Sequence, residues 1–156
     1  MELDFGGIVK EYAADQSAVI CLQAGIQHGA WCLVNLGGDI RVIGPHPDGK
    51  PWSIGVSHLR NKTHHYRQLQ ISHGGISSSG DYERCIKISG HYYSHILNPK
   101  TGWPVSGLAS VTVIADLCLV AGSVSTIAML KEKAGAEWLK EIGLKLLWVD
   151  VDGDFG

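Results

Sequence analysis

Ser94-His95-Ile96-Leu97-Asn98-Pro99-Lys100-Thr101-Gly102 is the stretch from which the chain is best read. It has the form of a strand end running into a loop punctuated by proline and glycine. Two other stretches belong with it. Ala121-Gly122-Ser123-Val124-Ser125-Thr126 opens an apolar, small-residue segment of helical character, and Leu3-Asp4-Phe5-Gly6-Gly7-Ile8-Val9-Lys10 is a strand end followed by a glycine turn. A strand end, a glycine turn and a small-residue helix start suggest three walls of one site for an anionic ligand, because backbone N–H groups and a helix N-terminus favour negative charge.

The bulk properties set the frame. A length of 156 residues predicts a single domain, 1–156, large enough for a core. Hydrophobic residues make up 45% and charged residues 18%, the balance of a globular chain. The formal charge of −2 and the lack of a Lys/Arg cluster argue against nucleic acid as a partner. The cysteines Cys21, Cys32, Cys85 and Cys118 form no Cys-x-x-Cys pair, so a zinc ribbon or redox pair is not expected. The first residues lack the apolar core of a secretory leader, and no apolar run reaches the length of a membrane span. As written, the sequence predicts a cytoplasmic protein with no membrane segment.

In chain order, the glycine turn at Gly6-Gly7 leads to a predicted helix from about Ile8 to Ala24, stopped by Gly25. Lys10 near its start is unfavourable for the helix dipole unless an anion sits at the same end. Ala30 to Leu36 is a continuous apolar run, the pattern of a buried strand. Gly37-Gly38-Asp39 breaks it; Asp39 there reads either as a ligand or, more commonly for Asp in a turn, as an Asx-type turn former. Ile40 to Ile43 and Trp52 to Ser57 are then expected to pair as a hairpin across Pro45 to Gly49.

His58, His64, His65 and His73 fit no zinc-binding spacing and are expected on a surface loop. After a strand at Gln68 to Ser72, the run Gly74 to Tyr82 has the composition of a Ser/Gly loop whose hydroxyls suit a phosphate or carbonyl. Glu83 to Ser89 and Tyr92 to Leu97 predict a hairpin that carries His95 and Asn98 into the following loop. Leu108 to Ala115 alternates and is β-branched, a strand; Asp116 is a candidate cap for a helix from Leu117 to about Lys131. A short helix, Ala134 to Ile142, stopped by Gly143, and a strand, Lys145 to Val151, complete an α+β pattern: a largely antiparallel sheet with helices packed on one side.

Taken together, these segments resemble the ApbE-like family, the FAD:protein FMN transferases formerly called thiamine-biosynthesis lipoproteins. The matching stretches are Leu3 to Asp15, Leu33 to Arg41, Pro51 to Gly55, Ile76 to Tyr82, His95 to Val105, Ser110 to Val113 and Ser125-Thr126. The resemblance is to the C-terminal part of the family's fold and implies that the N-terminal segment is missing. It also implies a reaction: cleavage of the FAD pyrophosphate with Mg2+, transfer of FMN to a Ser or Thr hydroxyl of an acceptor flavoprotein, and release of AMP. By position, Asp4, Lys10 and Ile96 would face FAD, the Gly7 carbonyl oxygen and the Thr126 hydroxyl would hold the metal, and His95 would be the catalytic base. Family members are often periplasmic or membrane-anchored.

Two positions depart from the family's pattern. The family normally has an aspartate four residues before the threonine matching Thr126, and that acid is a magnesium ligand; here the residue is Gly122. The family's lysine is commonly followed by glycine; here Glu11 follows Lys10, and its charge is expected to repel phosphate. Gly122→Asp is therefore expected to restore a ligand. Besides an active transferase, two readings stay open: an inactive FAD- or nucleotide-binding homologue, and a truncated homologue completed by a partner chain or a second copy, hence a homo-oligomer.

Overall fold

The computed structural model describes residues 5–24, 31–57, 65–81 and 85–156. Their order is α1 (Val9–Gln23), β1 (Cys32–Leu36), β2 (Asp39–Ile43), β3 (Trp52–Ser57), β4 (His65–Ile71), β5 (Gly74–Gly80), β6 (Cys85–Ile88), β7 (His91–Ser94), β8 (Leu108–Ala115), α2 (Cys118–Leu130), α3 (Gly135–Ile142) and β9 (Lys145–Asp150), with a short 3-10 turn at Glu132–Ala134. The main sheet has the order β1-β2-β5-β8-β9, and every neighbouring pair in it is antiparallel. α1 lies over β1 and β2, α2 lies over β5 and β8, and the two helices touch each other, so both cover the same face. The α+β expectation holds, with helices on one side of the sheet.

The period-2 alternation of strands divides the side chains between the two faces. On the helix face, Val111, Val113 and Ala115 of β8 pack with Ala121, Ala128 and Met129 of α2 and Leu139 of α3. On the other face, Ile40, Val42 and Ile76 pack against Ile71, with Trp52, Ile54 and Leu69 of the β3–β4 ribbon closing over them. The β3–β4 ribbon is a separate two-stranded sheet. The expected β2–β3 hairpin therefore does not form: the chain leaves the sheet after β2, and β3 crosses the far face to pair with β4.

Two further expectations are corrected. The apolar run ending at Leu36 forms a strand, but not a buried one. β1 is an edge of the sheet, half-buried along most of its length, paired with β2 and overlain by α1. The Gly74–Gly80 run is not a loop but β5, the middle strand of the five. Its glycine serves packing: a Cβ at Gly75 would lie 2.2 Å from the Cys118 backbone nitrogen and 2.5 Å from the Leu117 carbonyl carbon, so only glycine lets the start of α2 rest on the sheet. The Gly37-Gly38 pair answers a different demand, since both φ angles are positive (68° and 99°), as a two-residue hairpin turn between β1 and β2 requires.

The start of α2 is held from outside its own segment. Its first residue is preceded by Leu117, and no local side chain caps it, so Asp116 does not play that part. Instead Asp15, near the middle of α1, accepts hydrogen bonds from the Cys118 N–H (3.0 Å) and the Leu119 N–H (2.9 Å). Its Oδ1 also lies 3.3 Å from Arg41 Nε of β2. One buried carboxylate thus joins α1, β2 and α2.

Asp15→Ala should lower the unfolding free energy by about 2–4 kcal/mol, since it removes two helix-terminal hydrogen bonds and takes from the largely buried Arg41 guanidinium its carboxylate partner. Urea denaturation followed by circular dichroism is the check; a loss below roughly 0.5 kcal/mol, the level of an ordinary surface substitution, would contradict this account.

Candidate functional site

A cleft of about 970 Å³ opens where the turn before α1, the β1–β2 turn, β3, β5, the segment after β7 and the middle of α2 meet. Gly7, Lys10, His95, Ile96 and Thr126 all line it. The structure therefore brings five of the six sequence-predicted site residues to one cavity. The sixth, Asp4, lies outside the described residues, as do His58 and His64.

Each wall is held by bonds its sequence supports. The loop after β7 is tied by the Gly102 N–H donating to the Asn98 carbonyl (2.8 Å) and the Asn98 N–H donating to the Trp103 carbonyl (2.8 Å). The Val105 N–H returns to the Ile96 carbonyl at 2.9 Å. Asn98 Nδ2 donates to Glu132 Oε1 (3.0 Å), which anchors the loop to the turn that follows α2. Ile96 is half-buried in this frame, and His95 stands exposed at its edge.

The floor of the cleft is a hydroxyl network. Ser79 Oγ lies 2.8 Å from Ser125 Oγ and 3.1 Å from Thr126 Oγ1; Ser78 Oγ lies 2.8 Å from Thr112 Oγ1. Ser125 donates to the Gly122 carbonyl oxygen at 3.0 Å. These bonds explain why serines occupy a central strand: each hydroxyl finds a partner, Ser79 on α2, Ser78 on β8 and Ser77 on Asp39 of β2.

Asp39, which the sequence leaves between ligand and turn former, belongs to the site. It is 4% exposed, and both oxygens are engaged, Oδ2 by Lys10 Nζ and Oδ1 by the Ser77 hydroxyl, each at 2.5 Å. It holds the half-exposed Lys10 ammonium at the cleft wall. The signal was present in Gly37-Gly38-Asp39, but the partner is 29 residues away in sequence.

Glu11 lies beside Lys10 on the cleft wall. It is 7% exposed, and its Oε2 has no hydrogen-bond partner. Burial pushes its pKa up, a shift that the nearby Asp39 charge reinforces and its own backbone N–H and Lys10 oppose. Negative charge gathers at this junction: the buried Cys118 thiol is pushed up to about 12, mainly by burial and then by Asp39, Asp15 and Glu11.

The space at Gly122 is already taken. A Cβ built there would lie 2.6 Å from Glu11 Cγ and 2.7 Å from Oε1. Gly122→Asp alone would therefore place a second acid against the first, and the Glu11 side chain would have to move aside for it. Among the described residues, no three His, Cys, Asp or Glu side chains cluster as a metal site. What the cleft does offer a hard cation is oxygen: hydroxyls on β5 and α2 and one unpartnered carboxylate oxygen.

The model of the ApbE family matches residues 1–148. The chain belongs to the ApbE family. An FAD:protein FMN transferase of Escherichia coli is 31% identical over 155 residues, which is 97% of this chain and 43% of the relative. One of Haemophilus influenzae is 33% identical over 129 residues, 80% of this chain and 36% of the relative. Among solved structures, the ApbE protein of Thermotoga maritima superposes with a TM-score of 0.86 at 37% identity, covering 99% of this chain and 50% of that one. The apo flavinyl transferase ApbE of Pseudomonas stutzeri gives 0.80 at 32% identity, covering 99% of this chain and 48% of that one. The chain thus spans half or less of each ApbE relative it matches.

Folding raises the Glu11 pKa, so its contribution to stability is present below the ordinary glutamate range and is lost as pH rises through the raised value. In buffer free of divalent cations, Glu11→Gln should stabilise the fold at pH 7–8 by on the order of 1 kcal/mol, with the difference shrinking toward zero near pH 4. Thermal melts of both proteins across that range test the sign.

Proposed function

We propose that the chain is the C-terminal portion of an FAD:protein FMN transferase, one domain over residues 1–156, acting on FAD and on a Ser or Thr hydroxyl of an acceptor flavoprotein. The observation that carries this reading is the gathering of Gly7, Lys10, His95, Ile96 and Thr126 around one cleft in a chain of this family.

The roles follow from chemistry and position. Lys10, held by Asp39, presents positive charge to the diphosphate, and Asp4 and Ile96 complete the flavin nucleotide's seat. His95, exposed at the rim, stands where an acceptor hydroxyl can approach. It takes the hydroxyl proton as the oxygen attacks the FMN phosphorus; the bond to the AMP phosphate breaks, and AMP leaves with the electron pair. The Gly7 carbonyl oxygen and the Thr126 hydroxyl would hold Mg2+. When bound, the cation offsets charge on the phosphate oxygens. Sequestering a phosphate beside a buried acid needs such an offset, since two like charges otherwise repel.

A second reading, a flavin-binding protein without transfer activity, is favoured by one observation: Gly122 brings no acid where the family's pattern has one. A third, completion by a partner chain or a second copy, is favoured by the exposed apolar side chains Tyr12, Val19 and Ile20 of α1 and Val120 and Ile127 of α2.

Incubation with FAD, Mg2+ and an acceptor domain, followed by mass measurement of that domain, should show the mass of one FMN moiety added and AMP released. His95→Ala should retain FAD binding and lose labelling by about 100-fold or more. Undiminished labelling would remove His95 from its role, and FAD binding by the unsubstituted chain without labelling would favour the second reading.

A further inference from the structure

We propose that Glu11 supplies the carboxylate of a divalent-cation site at the α1–α2 junction, from the opposite wall to the one where the family's pattern carries its acid. The proposal rests on the transferase reading only for the phosphate that would share the cation.

Three acids meet at this junction, and two are fully engaged. Asp15 binds the α2 N-terminus and Arg41. Asp39 binds Lys10 and Ser77. Glu11 alone of the three retains a buried oxygen, Oε2, with no partner. A carboxylate oxygen removed from water and left unpaired is unfavourable, and the protein's own hydrogen bonds do not account for it. A cation would.

The placement fits that role. Glu11 borders the cleft, and its carboxylate lies against Gly122, filling the volume into which a side chain at 122 would project. Gly122 and Thr126 are one helical turn apart and share a face of α2. The carboxylate therefore stands over the α2 face that carries the Thr126 hydroxyl. A carboxylate, a hydroxyl, waters and phosphate oxygens make an oxygen-only set suited to Mg2+ or Mn2+, which is usually held by one or two carboxylates together with substrate phosphate. The two departures in the sequence thus face each other across one contact. They amount to a single relocation of an acid, in which the glycine makes room for the glutamate.

The test is an electron paramagnetic resonance titration of the chain with Mn2+, with and without FAD. The unsubstituted protein should bind one Mn2+; the near-isosteric Glu11→Gln should weaken binding by roughly tenfold or more. The double variant Glu11→Gly with Gly122→Asp should regain it, because the acid returns from the other wall. Circular dichroism confirms that each variant is folded. Equal Mn2+ binding by Glu11→Gln and the unsubstituted protein, or no Mn2+ binding by the unsubstituted protein in either condition, would overturn the proposal. Flavin binding read in EDTA reports on the transferase reading by itself: a chain that binds Mn2+ through Glu11 but never FAD sinks that reading and leaves the cation site standing.

Discussion

The Asp15 carboxylate fixes the geometry on which the site depends. It is bonded to the first N–H groups of α2 and paired with Arg41, so α1, β2 and α2 cannot shift independently. A helix repeats its surface about every 5.4 Å. Moving one turn back along α1 from Asp15 reaches Glu11; moving one turn on along α2 from Cys118 reaches Gly122, and those two are in contact. A further turn on along α2 reaches Thr126, and the turn that precedes α1 holds Gly7; both line the cleft. The antiparallel pairing of the helices, once pinned at Asp15, sets which residues face each other down the whole seam.

The seam is narrow because the strand beneath it is made of small residues. Gly75, Ser77 and Ser79 are the helix-facing positions of β5, and α2 rests directly on them. Larger side chains would lift the helix and open the contacts among Ser79, Ser125 and Thr126. The same strand buries Ile76 on its other face against the β3–β4 ribbon. β5 thus joins an apolar layer to a polar one, which lets hydroxyls line the cleft without breaking the core.

Much of this was legible in the sequence where the signal is local. The alternating Leu108–Ala115 run is a strand, Gly143 in the left-handed region stops α3, and Ser89-Gly90 turns the β6–β7 hairpin with both φ angles positive. The illegible parts depend on distant partners. β5 has loop composition and becomes a central strand only because its hydroxyls and glycines fit α2. The cap of α2 comes from a residue 103 positions earlier. Asp39 acts through Lys10, and Glu11 gains meaning only beside Gly122. No window of sequence contains both members of these pairs.

The contact between Glu11 and Gly122 also couples two positions far apart in the sequence. Two positions that compete for one volume are coupled: a side chain added at Gly122 obliges the Glu11 side chain to move. Weighed as a pair, they are one packed contact, so the effects of substituting them should not add.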